Sequence, residues 1–212
     1  MDTGPDFREE HLLRDGTQVT LRHIRPDDAA ELRRGLMRLS PESRYRRFLS
    51  LVSELTDEQV KYLTCVDGKD HVAIVAATRV PGVEGEVGLG VARFVRLRGD
   101  PEVAEAAITV VDDAQGKGLG RILALALARA AYERGVRRFR GRVLADNSAV
   151  RQLLEDVGAV MGKPEQGGVV FDVELTPTPF TPGSRLDLIA RRVLHAAADA
   201  LVGVFGRPAL PP

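Results

Sequence analysis

The sequence predicts an α/β domain with a mixed sheet, and three patterns carry that prediction. Strand-like and amphipathic helical segments follow one another as strand, helices, three strands, helix, strand, helix, strand. Two apolar runs, 71–78 and 87–95, flank Pro81-Gly82 and Glu84-Gly85, the mark of an antiparallel hairpin. A third run, 103–111, ends in β-branched residues and leads straight through a glycine-rich loop into a long helix.

Taken in order, residues 1–14 are polar around Gly4-Pro5 and are expected to form a flexible tail. Residues 17–24 alternate as a half-buried strand, which Arg25-Pro26-Asp27-Asp28 stops before capping a helix to about Leu39. Ser40-Pro41-Glu42 places a hydroxyl before a first-turn proline and opens a second, amphipathic helix through Leu49. Thr56 or Asp57 opens a third, ending near Leu63. After the hairpin and the glycine loop, a helix is expected from Gly118 to about Arg134 and a strand over 136–144. A helix over 148–156 and a closing strand over 169–175 complete the domain.

Composition bounds the function. The 212 residues carry 30 basic and 30 acidic side chains, interleaved along the chain, which argues against a nucleic-acid partner. Cys65 is the single cysteine and no secretory signal is recognisable, so a cytoplasmic location is expected. His11, His23, His71 and His195 lie far apart without ligands at metal-binding spacing, so no metal is expected.

The segment Gln115-Gly116-Lys117-Gly118-Leu119-Gly120-Arg121 is the most informative in the chain. The first N–H groups of a helix lack intrahelical partners and carry the positive end of its dipole, so they bind anions. Glycines allow a phosphate to approach closely, and Lys117 and Arg121 add charge on either side of the turn. The spacing matches neither G-x-G-x-x-G nor the Walker loop.

Gln115-x-x-Gly118-x-Gly120 resembles the Q/R-x-x-G-x-G/A loop of the GNAT superfamily of acetyl-CoA-dependent N-acyltransferases. The resemblance covers residues 15–175 and implies a splayed, mostly antiparallel central sheet flanked by helices. It implies that Gln115 to Arg121 cradle the donor's pyrophosphate. It further implies that the pantetheine arm pairs with the backbone of Ile108 and Val110, and that Asn147 contacts the cosubstrate at the next helix. Ala104-Glu105-Ala106 and the run from Leu39 to Phe48, followed by Leu55-Thr56, resemble Pat-type protein lysine acetyltransferases. That likeness makes Glu105 the expected general base and a protein lysine the expected acceptor, with direct attack in a ternary complex. Read from the residues alone, Glu105 is equally a solvated outer-face side chain, and Arg44, Arg46 and Arg47 a solvated helix face. Many relatives carry a tyrosine general acid where this chain has Leu154. That departure keeps a non-catalytic acyl-CoA sensor open, beside a small-molecule amine acetyltransferase.

Beyond the domain, 176–183 reads as a proline-rich linker and 184–205 as an amphipathic C-terminal helix with a stripe through Leu186, Ile189 and Val193. Its arginines and aspartates argue against a membrane span. Packing on the domain itself, or on a second copy as a homodimer, is expected.

Overall fold

Backbone pairing and burial follow the alternation read from the sequence. The computed structural model describes residues 3–48, 53–144, 159–165 and 168–175. The elements are β1 (Arg8–Leu12), β2 (Gln18–His23), α1 (Ala29–Met37), α2 (Pro41–Phe48), α3 (Asp57–Thr64), β3 (His71–Thr78) and β4 (Val87–Leu97), followed by β5 (Asp100–Val110), α4 (Leu119–Glu133), β6 (Arg138–Leu144), β7 (Val160–Glu165) and β8 (Gly168–Glu174). Short 3-10 turns precede α1 at Pro26–Asp28 and follow β5 at Asp112–Ala114.

The strands form one sheet in the order β1-β2-β3-β4-β5-β6-β8-β7. All neighbours are antiparallel except β5 and β6. Side chains alternate between the faces. On one face Ile74, Ala92, Phe94, Ala106 and Ile108 pack against Leu119, Leu123 and Leu127 of α4. On the other, α1 and α3 bury a smaller cluster of Leu36, Leu39, Leu55, Val60 and Leu63. Cover on both faces explains why β3 reads as an almost continuous apolar run. The helix comes close to the sheet at Gly90, where an added β-carbon would meet the Thr109 carbonyl at 2.8 Å and Leu123 at 3.0 Å.

The expectation of a flexible tail over residues 1–14 is corrected. β1 pairs with β2 from Arg8↔Arg22 to Leu12↔Gln18, and Phe7 and Leu13 are buried. Glu9 also reaches Arg129 of α4 at 2.6 Å. Arg8 to Leu12 looked polar because an edge strand is held by its backbone and leaves most of its side chains exposed or half exposed. β7 was not expected from the sequence; it is an edge strand whose register shifts between Met161 and Pro164. An edge position tolerates proline because one side of the strand needs no donor.

The expected helix over 148–156, Asn147, Leu154, the linker 176–183 and the C-terminal helix 184–205, with any homodimer through it, lie outside the described residues. No helix among the described residues is long and apolar enough to cross a membrane.

Candidate functional site

β5 and β6 run side by side for three register pairs and then part. The pairs are Val103↔Arg138, Ala104↔Phe139 and Glu105↔Arg140. Beyond them β5 continues to Val110 with β4 as its partner, while β6 continues to Leu144 against β8. The described strands therefore enclose a fork, with Glu105 at its vertex.

The phase of β5 decides which backbone groups face that gap. Val111 N–H donates to the Leu89 carbonyl on β4 at 3.0 Å, so the groups of Ile108 and Val110 point to the opposite edge. An extended ligand could add there as a strand would. Gln115 turns back from the loop and its side-chain amide donates to the Val110 carbonyl at 3.1 Å, tying the loop to the end of β5.

The loop then prepares the start of α4. Gly116 and Gly118 sit at φ 72° and 92°, conformations that side chains disfavour, so the turn requires glycine. Gly118 is also the N-terminal capping residue and has no side chain with which to cap this end. The N–H groups of Leu119, Gly120 and Arg121 precede the first bond of the helix ladder, Ile122 N–H to the Gly118 carbonyl. They are oriented to serve an external acceptor such as a phosphate.

Lys117 is engaged elsewhere. Its Nζ lies 2.9 Å from the Asp15 carboxylate, and the Lys117 carbonyl accepts from Arg14 N–H at 3.2 Å. Bonds from Lys117 and from Thr17 N–H hold the Asp15 carboxyl down to about 2. These residues close the β1–β2 turn, of which only Arg14 fell within the expected tail. The one local sign was Asp15-Gly16, a turn dipeptide ahead of the alternating segment 17–24, with a polar stretch and no strand pattern before it.

On the sheet face opposite α4, a mainly apolar cavity of about 100 Å³ lies beneath α1, bounded by Leu36, Leu63, Val91, Thr109 and Val111. Its polar wall is an ion cluster. Arg22 binds Asp28 through two bonds of 2.8 and 2.7 Å and Glu86 through one of 2.9 Å. Burial alone would raise the Asp28 carboxyl, but the bonds from Arg22 and Arg25 N–H outweigh it and hold it below the ordinary value. The α1–α2 corner is fixed to the glycine-loop side: Arg38 grips Asp113 at 2.8 Å, and Ser40 N–H donates to Asp112 at 3.0 Å.

Deeper in this face Arg93 is 1% exposed. It donates to His71 Nε2 at 3.0 Å and to the Leu63 carbonyl at 3.1 Å. Burial and then the Arg93 charge push the His71 imidazole down to about 4, against the opposing pull of Asp67. Tyr62 stacks on His71 at 4.8 Å between ring centroids. Burial and then the Glu105 charge raise its phenol, with Arg93 opposing. Glu105 is half-buried and interacts electrostatically with Tyr62 and Arg140, so it faces the α3 side rather than open solvent. Tyr62 and Arg93 were not singled out in the sequence; an arginine at an inward position of Val91-Ala92-Arg93-Phe94 was the available sign. Among the described residues, no group of three or more His, Cys, Asp or Glu side chains could hold a metal ion.

A strand running into a glycine loop and helix, beside a parallel neighbour that diverges from it, is the arrangement of an acyltransferase fold. The acetyltransferase (GNAT) domain model matches residues 18–160, and the chain belongs to that family. It is 38% identical over 195 residues to the acetyltransferase Pat of Mycolicibacterium smegmatis, covering 88% of this chain. The chain spans 56% of the length of that relative. The GNAT domain of S. lividans PAT superposes with a TM-score of 0.68 at 31% identity, over 79% of this chain and 97% of that one. The yncA protein of Salmonella typhimurium, solved with acetyl-CoA, shares the fold at 19% identity and a TM-score of 0.55, over 75% of this chain and 95% of that one.

Proposed function

We propose that this chain is an acetyl-CoA-dependent N-acetyltransferase that modifies a protein lysine in the cytoplasm by direct transfer in a ternary complex. The observation that carries the reading is the fork between β5 and β6, with an uncapped helix start at one end and Glu105 at the other. The diphosphate sits on the N–H groups of Leu119 to Arg121, framed by Gln115, Gly116, Lys117, Gly118 and Gly120. The pantetheine arm pairs with Ile108 and Val110. A strand advances about 3.3 Å per residue, so Val110 to Glu105 spans roughly 17 Å, which suits an extended phosphopantetheine arm.

A lysine amine with an ordinary pKa near 10.4 is protonated at neutral pH and has no lone pair to attack with. Glu105, directly or through a water, accepts that proton. The neutral amine nitrogen forms a bond to the thioester carbonyl carbon, backbone N–H groups of β5 facing the gap stabilise the oxyanion, and the C–S bond breaks to release CoA thiolate, which takes up the second proton from the nitrogen to leave a neutral amide and CoA thiol. The thiolate is a good leaving group without a tyrosine acid, consistent with Leu154 in that position. Lysine as acceptor is supported by the early segment Leu39 to Phe48 and by the identity to Pat.

Transfer of labelled acetyl from acetyl-CoA to lysine-containing proteins and to a panel of small amines tests the reading. The expected result is protein labelling at lysine, with Glu105→Gln lowering kcat by about 100-fold or more while acetyl-CoA still binds. Labelling confined to small amines would replace the acceptor. Binding of acetyl-CoA without turnover on any amine would make the domain a sensor.

A further inference from the structure

β1 and β2 are joined by residues 13–17, closed by Leu13 N–H to the Thr17 carbonyl at 2.9 Å and turned by Gly16 at φ 84°. This loop leans on the glycine loop. The Arg14 N–H bond to the Lys117 carbonyl and the Asp15–Lys117 ion pair fasten the two together. They also carry Arg14 over the start of α4: a β-carbon built on Gly118 would stand 3.8 Å from Arg14 Nε. Among the described residues the Arg14 guanidinium has neither a hydrogen bond nor an ion pair, whereas the Lys117 ammonium is neutralised by Asp15. The lysine inside the loop thus holds the hairpin, and the hairpin in turn brings the Arg14 guanidinium beside Gly118.

We propose that Arg14 is a donor-binding residue whose guanidinium closes over the diphosphate of acyl-CoA seated at the start of α4. This rests on the acyl-CoA reading above. Arginine's planar fork of donors matches phosphate oxygens, and a charge-assisted bond to phosphate is stronger than a neutral one. Asp15 is then a positioning residue, because it orients the turn that carries Arg14. The β1–β2 hairpin becomes part of the donor site, reached from a part of the chain more than a hundred residues before the glycine loop.

Calorimetric titration of the full chain with CoA, dephospho-CoA and pantetheine tests this on the wild type, Arg14→Ala and Arg14→Lys. The expected result is a Kd for CoA raised about 10-fold by Arg14→Ala and less by Arg14→Lys. The same factor is expected for dephospho-CoA, which keeps the diphosphate, and no change for pantetheine, which lacks it. The thermal midpoint should stay put, since among the described residues the side chain has no partner to lose. Unchanged CoA affinity in Arg14→Ala, with a wild type that binds CoA, overturns the inference and leaves the donor reading intact. Equal weakening toward pantetheine shows an indirect effect, and an effect that vanishes with dephospho-CoA assigns Arg14 to the 3′-phosphate; either result also overturns it. A wild type that binds no CoA overturns the donor reading, and Arg14's role with it.

Discussion

His71 is the residue whose protonation the fold resists most openly. Its ring is buried against Tyr62, and Nε2 accepts from Arg93, so a proton there would set two cations face to face. The folded value near 4 lies below the unfolded value near 6.5. Between those values the unfolded chain binds more protons, so stability rises with pH and is lost as pH falls from 6.5 toward 4. At pH 5 the loss should be about 2 kcal/mol relative to pH 7, read from urea midpoints. His71→Gln keeps an acceptor for Arg93 and should remove that pH-dependent part; an unchanged slope in the variant would refute the assignment. Arg93 itself was hard to read from the sequence, because a polar residue in an alternating strand normally marks the wet face. Here α1 and α3 cover that face as well. Glu105 posed the same question, and its half-buried position at the vertex of the fork answers it against open solvent.

At the scale of elements, α4 was the most legible part of the chain. Its expected limits, Gly118 and about Arg134, are the two capping residues of the observed helix. Glycine loop, apolar stripe and terminal Arg134-Gly135 all point the same way. The end is a Schellman motif: Val136 N–H returns to the Ala131 carbonyl and Gly135 N–H to that of Tyr132, both at 3.0 Å, with Gly135 at φ 84°. Gly135→Ala should therefore cost about 1 kcal/mol in a denaturant titration, although an added β-carbon there has open space around it. A gain in stability would contradict the left-handed cap. β1 and β7 were illegible for the opposite reason. Edge strands are stabilised by backbone pairing on one side, and hydropathy carries little trace of that.

For the whole molecule, the N-terminal hairpin links three regions far apart in sequence. β1 extends the sheet, Phe7 enters the core, Glu9 pairs with Arg129 on α4, and the turn at Arg14 to Gly16 rests on the glycine loop. Deleting residues 1–12 should lower stability by roughly 3 kcal/mol or more, the cost of losing a buried phenylalanine before any backbone bonds are counted. The same deletion should weaken CoA binding, because the turn loses the strand that positions it. A truncated chain with an unaltered urea midpoint and CoA affinity would show the hairpin to be an ornament of the fold.

The sequence by itself determined the fold class, the family resemblance, the limits of β3 and α4, and the loop from Gln115 to Arg121. These depend on local periodicity, on glycines that must take positive φ, and on an uncapped helix start, all properties of contiguous residues. The tertiary structure alone decided that β5 and β6 part just past Glu105 and that an arginine lies buried beside His71. It also brought Arg14 over Gly118 by way of an edge strand that looked like a tail. Those outcomes depend on register and on contacts between segments distant in the chain, and no local pattern encodes them.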